Sequence, residues 1–419
     1  MISPARERRR VLVAMSGGVD SSVAAALLAG KGHDVIGVTM KNFCYSHSEA
    51  ASGPASCCSL EAIEDARRVA DRVGFPHYVL DFAEPFGRAV IDDFVREYAA
   101  GRTPNPCVRC NRLVRFPHLF ARARALGADL LATGHYARVD RAGAAGAGPG
   151  AAGPVDARAG GPRLLRGADR AKDQSYYLWG LTPRLLESVA FPIGGLTKEV
   201  VRGIAAELGL EVAEKPESME VCFVPGGDLR GFLEREKENH CLPEEALARF
   251  EPGPILSTAG ERLGEHGGSA WLTVGQRRGL GVAAGEPRYV VELRPDNAVV
   301  LGTREELLAG GCLLEQVSWI RGAPPDLPAF DAEVQVRHRQ QPVGARVTPA
   351  AGFTAAPAAA SSRPHGGRPA GNFGSPPESG AITRVDFERP LAAVAPGQSA
   401  VLYRGDEVLG GGIIRESLP

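Results

Sequence analysis

At 419 residues with 44% hydrophobic side chains, the chain exceeds what one hydrophobic core holds and predicts two or three globular domains. Its 48 basic and 49 acidic side chains nearly cancel, which excludes a uniformly basic nucleic-acid binder and confines any RNA surface to a local patch. No apolar run approaches the roughly 18 residues of a membrane-crossing helix, Val11–Met15 is too short for an export signal, and eight cysteines without such a signal argue against a disulfide framework. A cytoplasmic protein with reactive or metal-binding thiols, and no membrane partner, is expected.

Arg10 to Ala14 reads as a buried strand, Ser16 to Ser21 as a glycine turn, and Ser22 to Ala29 as an alanine-rich helix stopped by Gly30. His33 to Met40 is a second strand, Leu60 to Val73 an amphipathic helix, His77 to Phe82 a strand and Phe86 to Ala100 a helix. Leu113 to Leu126 then reads as helix and Asp129 to Thr133 as strand. This alternation predicts an α/β fold, a doubly wound parallel sheet whose ligands sit at the carboxyl ends of strands, where Ser16 and Gly134 fall. Stretches 141–162 and 349–380, dominated by Ala, Gly, Pro and Ser, read as flexible insertions. A helix from Thr197 to Leu208, a helical piece from Asp228 to Asn239 and glycine-punctuated strands to Leu293 follow. From Cys312 onward the alternating segments Ala332–Arg339, Ile382–Phe387 and Ala400–Tyr403 predict an antiparallel β-barrel. The expected domains are 1–222, a small central one at 223–293, and the barrel at 294–419.

Ser16-Gly17-Gly18-Val19-Asp20-Ser21-Ser22 lies between strand and helix, where free backbone N–H groups and the helix dipole favour an anion. It lacks the Gly-Lys-Ser/Thr end of a Walker loop and the spacing of a dinucleotide loop. Ser-Gly-Gly-x-Asp-Ser resembles the pyrophosphate loop of the N-type ATP pyrophosphatases, which implies cleavage of ATP between its α and β phosphates and an adenylated substrate. Asp20 is then expected to act through Mg²⁺. The competing reading is an ordinary serine-glycine turn with a solvated Asp20.

Gly101-Arg102-Thr103-Pro104-Asn105-Pro106-Cys107-Val108-Arg109-Cys110-Asn111 joins a stiff two-proline turn to a Cys-x-x-Cys. Arg109 and the helix expected from Leu113 would both favour thiolate, the reactive form. Another cysteine, Cys222, stands in Glu217-Ser218-Met219-Glu220-Val221-Cys222-Phe223. Together with Ala132-Thr133-Gly134-His135-Tyr136 and Lys172-Asp173-Gln174-Ser175-Tyr176-Tyr177-Leu178, these segments closely resemble the bacterial tRNA-uridine 2-sulfurtransferases of the MnmA type. The resemblance spans nearly the whole chain apart from the two insertions.

That resemblance implies ATP-dependent 2-thiolation of the wobble uridine of tRNA, with adenylation at its C2 oxygen and sulfur from a cysteine persulfide. Carried over position by position, Cys110 is the nucleophile and Cys222 the persulfide carrier, a pair that turnover leaves as a disulfide for an outside thiol to reopen. ATP contacts are implied for Ala14, Met15, Ser16, Gly17, Gly18, Val19, Asp20, Ser21, Met40 and Gly134. Asn105, Pro106 and Cys107 are implied to address the target base, and His135, Lys172, Asp173, Gln174, Arg337, His338 and Gln398 to contact tRNA. An upstream persulfide or sulfide donor is the implied protein partner.

One departure stands out, because the family has aspartate where this sequence has Cys107. Two readings stay open: Cys107, Cys110 and Cys222 hold a [4Fe-4S] cluster with one open iron, or persulfide chemistry continues without metal. Zinc lacks a fourth ligand in these motifs. Cys44, Cys241 and Cys312 read as small buried hydrophobes, and Cys57 and Cys58 have no assigned role. Competing functions are a pyrophosphatase-type ligase acting on a small molecule, which would not need Cys110 and Cys222, and a noncatalytic tRNA-binding or sulfur-trafficking protein, which would not need the Asp20 loop.

Overall fold

Val11, Leu12 and Val13 are fully buried at the centre of β1 (Arg10–Ala14), because the strand is covered on both faces. A computed structural model describes residues 8–43, 60–141, 161–216, 221–282, 285–350 and 381–419. Parallel neighbours flank β1: β2 (Asp34–Lys41), itself followed by β3 (His77–Asp81), on one side, and β4 (Leu130–Thr133) on the other. A hairpin of β5 (Ala137–Asp140) and β6 (Arg163–Arg166) leaves this sheet before β7 (Val189–Ala190) rejoins it, giving the order β3-β2-β1-β4-β7. Side chains alternate across β1. Leu12 enters a cluster with Met40, Phe86 and Phe116, whereas Val11 and Val13 enter one built with α1 (Val19–Gly30) and α2 (Leu60–Val73).

Several boundaries differ from expectation. Helix α1 starts at Val19 and not Ser22, since Ser22 N already closes a turn on Gly18 O at 3.2 Å, so Val19, Asp20 and Ser21 form the first helical turn. The helix expected from Phe86 begins at Ala83 and passes through a π turn at Gly87–Ile91 before Asp92–Ala99. The one expected from Leu113 begins at Pro106, runs through a π turn at Cys110–Arg115 and continues as Phe116–Ala125. The two π turns pack against each other.

A central sheet holds β8 (Gly253–Ser257), β9 (Arg262–His266), β10 (Tyr289–Leu293) and β11 (Val299–Gly302), in the order β10-β11-β8-β9. Ile255, Leu272, Val290 and Leu301 give it a core of its own. Then β12 (Leu308–Trp319), β13 (Phe330–Gln335), β14 (Val343–Thr348), β15 (Thr383–Ala392), β16 (Ser399–Arg404) and β17 (Glu407–Leu418) form a barrel that closes where β12 pairs with both β15 and β17. The β5–β6 hairpin pairs with β17 at Leu164 and Leu165, which ties the first sheet's chain to the barrel. Both insertions lie almost wholly outside the described residues, as do Cys44, Cys57 and Cys58. Cys312 is buried in the barrel core, where burial pushes its thiol up to about 12. Cys241 departs from expectation: it is exposed, because the chain between the helices Leu229–Asn239 and Glu244–Leu247 runs along the surface.

Candidate active site

Strand order reverses at β1, and the ends of β1 and β4 open there into a cavity lined by Ala14, Met15, Ser16, Asp20, Ser21, Met40 and Gly134. Gly17 holds φ +67°, and any side chain there would strike the Ala62 carbonyl. Ser21 Oγ lies 3.2 Å from Gly18 O and receives the Ser16 N–H at 3.1 Å, which fixes the turn. No side chain caps α1 at Gly18, so the first-turn N–H groups are available to an anion. Gly17, Gly18 and Val19 shape this loop without lining the cavity.

Asp20 is the one carboxylate lining the cavity among the described residues. It accepts hydrogen bonds from Tyr136 Oη and Lys198 Nζ, each at 2.8 Å, and Lys198 itself is buried. A single carboxylate already in an ion pair fits a magnesium ion held mainly by phosphates and water. His135 also lines the cavity, beside Arg115 and Gln174. Its ring packs near Phe116 and Phe191, its Nδ1 is 2.7 Å from Thr133 Oγ1, and burial, reinforced by Arg115, pushes its pKa down to about 3. It is a neutral imidazole at physiological pH.

The thiol pair sits on a helix and not on a rigid turn. Asn105 Oδ1 accepts from Val108 N at 3.2 Å as the helix cap, and Pro106 takes the first position, where its missing N–H is harmless. Cys107 is exposed in the first turn of that helix. Cys110 is buried in the cluster with Phe86, Phe94 and Phe223. Arg109 does not serve the thiols as expected: it binds the Asp93 carboxylate through Nε and Nη2, and Gln316 Oε1 through Nη1 at 3.0 Å, so its charge is already paired.

A second cavity is lined by Asn105, Pro106, Cys107, Arg337, His338 and Gln398, with Tyr177, Val221 and the loop Thr273–Gln276. Strand β13 ends at Gln335 and not Arg339, because Gln340 N turns back to Arg337 O at 3.1 Å; the turn takes Arg337 and His338 off the sheet and to the cavity. Gln398 Nε2 donates to Thr103 O and Pro104 O at 2.9 and 3.2 Å, so it also fastens the segment ahead of the cysteines to the barrel. Half-buried Cys222 follows the lining residue Val221 and packs against the same cluster as Cys110, with the Phe223 ring 5.0 Å from that of Phe94. Among the described residues no three Cys, His, Asp or Glu side chains are grouped for a metal ion. With Cys107 exposed and Cys110 buried, this arrangement does not fit a [4Fe-4S] cluster.

The residues expected to face tRNA therefore divide. Six converge on the second cavity, whereas His135 and Gln174 line the first and Lys172 and Asp173 line neither. Asp173 is turned inward, paired with Arg166 at 3.1 Å and accepting from Gly167 N and Ser175 N, so it shapes its own turn. The two cavities are linked by one helical run: Cys107, lining the second, and Arg115, lining the first, lie on it roughly 12 Å apart by helix rise. Sequence reasoning missed Lys198, Arg115, Tyr177 and the central-domain loop. Lys198 carried a legible signal, since a lysine at the first helical position opposes the helix dipole.

Comparison with known proteins agrees with these observations. Residues 9–226 match the family described as the tRNA methyl transferase HUP domain, residues 244–302 its PRC-barrel domain, and residues 377–414 the aminomethyltransferase beta-barrel domain. A tRNA-specific 2-thiouridylase MnmA of Geobacter metallireducens is 46% identical over 98% of this chain and 97% of its own. The protein of the same name in Heliobacterium modesticaldum is 43% identical over 98% and 94%. Among solved structures, a 4-thiouridine synthetase–RNA complex with bound ATP gives a TM-score of 0.31 at 17% identity over 55% of this chain and 51% of that one, too slight a likeness to argue from.

Proposed function

The chain belongs to the tRNA-specific 2-thiouridylase MnmA family and is a tRNA sulfurtransferase, and from that premise we propose how its residues divide the reaction on the wobble uridine. The observation that supports the division is the single helical run that carries Cys107 and Cys110 in its opening turns and, further along, Arg115 in the nucleotide cavity.

ATP lies at the first cavity with its phosphates on the Ser16–Ser21 turn, and Asp20 is the residue that would help hold a Mg²⁺ ion, which would offset the phosphate charge. The uridine enters by way of the second cavity, past Asn105 and Cys107, and its base reaches the nucleotide in the first. Its C2 oxygen attacks the α-phosphorus, pyrophosphate leaves, and the N3 proton passes to solvent. Lys198, already directed at Asp20, stabilises the departing pyrophosphate. An upstream donor protein loads Cys222 as a persulfide. The terminal sulfur attacks C2 and AMP departs; the Cys110 thiolate then attacks the Cys222 sulfur and breaks the S–S bond, leaving the C2 thione and a Cys110–Cys222 disulfide. Cys107, exposed at the cavity wall, acts as a third thiol that reopens that disulfide by exchange, with an outside dithiol as final reductant.

The test is incubation with unmodified tRNA, ATP, Mg²⁺ and a persulfide or sulfide source, read by mass spectrometry of the nucleosides. Expected is 2-thiouridine with matching AMP; AMP formed without tRNA, or no 2-thiouridine, overturns the reading. Cys222→Ser is expected to bind ATP and lose thiolation, and a fully active Cys222→Ser protein overturns the role given to that thiol.

A further inference from the structure

The second cavity has a wall that the family motifs do not supply. Thr273, Val274, Gly275 and Gln276 come from the central domain, while Asn105 and Cys107 come from the first and Arg337, His338 and Gln398 from the barrel. Each side holds the loop in place. Thr103 Oγ1 donates to Thr273 Oγ1 at 3.1 Å, Arg337 Nη2 donates to Val274 O at 3.1 Å, and Gly275 N donates to Val290 O at 2.7 Å. Gly275 has φ +89°, and a Cβ there would lie 2.4 Å from that of Ala393, so the loop passes the barrel where a side chain would not fit.

Gln276 is used up inside the loop. Its Oε1 accepts from Thr273 N at 3.1 Å and its Nε2 donates to Arg278 O at 3.0 Å, which fixes the path of the next two residues. Those residues are Arg277 and Arg278, both exposed. Arginines elsewhere on this surface are commonly matched with carboxylates, as Arg138 is with Asp406 and Arg346 with Asp331, but no carboxylate among the described residues pairs with Arg277 or Arg278. Among the described residues no acidic side chain lines the cavity either, and exposed Arg339 stands beside His338 on the barrel side. In a chain of net charge −1 this is a local concentration of positive charge around one opening.

We propose that the Thr273–Arg278 loop is a nucleic-acid contact of the central domain, in which Arg277 and Arg278 take backbone phosphates flanking the inserted uridine and Gln276 is the positioning residue that mounts them. The assignment rests on the tRNA-thiolation reading. Guanidinium forks suit phosphate oxygens, and contacts of this kind set position without reading sequence.

The experiment measures binding of unmodified tRNA to the full chain between 50 and 200 mM salt, without ATP. Replacing both arginines with alanine is expected to weaken binding about tenfold at low salt and to reduce the slope of log Kd against log salt by about 1 to 2, with ATP affinity unchanged. The double substitution with lysine is expected to keep the slope. Gln276→Ala is expected to reduce it, and an unaltered slope in that variant removes the positioning role. A double-alanine variant with wild-type affinity and slope overturns the proposal. If the wild-type chain itself does not retain tRNA, the thiolation reading fails instead, so the two failures are distinguishable.

Discussion

Lys198 is at odds with its own helix and satisfied by its site. A cation at the first helical position opposes the dipole, yet its Nζ lies 2.8 Å from both carboxylate oxygens of Asp20 at the rim of the nucleotide cavity. Lys198→Met leaves Asp20 uncompensated where phosphates bind, and is expected to slow tRNA-dependent ATP–pyrophosphate exchange by about 100-fold or more; an unchanged rate places pyrophosphate stabilisation elsewhere. His135 gives a prediction about pH. Burial holds it neutral in the folded protein down to about 3, whereas the unfolded chain takes up that proton near the ordinary histidine value, so in this window the unfolded state binds more protons. Stability from this group therefore rises with pH between those values and is lost as pH falls, by up to about 1.4 kcal/mol per pH unit. Urea unfolding of wild type and His135→Gln at pH 6.5 and 5 checks it: the wild type is expected to lose more stability on acidification. The sequence identified both Asp20 and His135, but not that one meets a lysine 178 positions away and the other packs beside the rings of Phe116 and Phe191.

The cysteine segment shows why an element can be misread from a correct motif. Pro-Asn-Pro is a turn signal, but asparagine before proline is also a cap before the first helical residue, and here the second meaning holds. The cap matters because it starts the helix that sets Cys107 and Cys110 on different sides of a wall, one exposed and one buried. Asn105→Ala is expected to cost about 1 kcal/mol in urea unfolding and to lower thiolation more than ATP binding. Equal stability, with equal activity, removes the capping role. By contrast β1 was legible with both its ends and α2 with its end at Val73, since a buried parallel strand is a continuous apolar run and an amphipathic helix repeats every three to four residues. The π turns at Gly87–Ile91 and Cys110–Arg115 leave no such mark in a single sequence.

Across the whole molecule the second cavity exists only because three folding units meet. Arg102 is one of the fasteners: it donates to Glu97 at 2.8 Å and to Glu315 of the barrel at 2.7 Å, and although burial opposes its charge, those carboxylates raise its pKa overall. Arg102→Ala is expected to destabilise the protein by about 2 kcal/mol and to weaken tRNA binding while ATP affinity is kept, as chemical denaturation and filter binding would show. Unchanged stability and binding would mean that the interface does not depend on it. What the amino-acid order alone determined is what local rules encode: the parallel sheet, the phosphate turn at the end of β1, the capped helix after Thr197 and the alternating strands of the barrel, all of which follow from periodicity and short-range hydrogen bonding. What only the tertiary structure decided is which distant side chains share a space. Asp20 with Lys198, Cys107 with Gln398, and the central loop with Arg337 are brought together by long-range packing between units, and no periodicity within one segment reports on it.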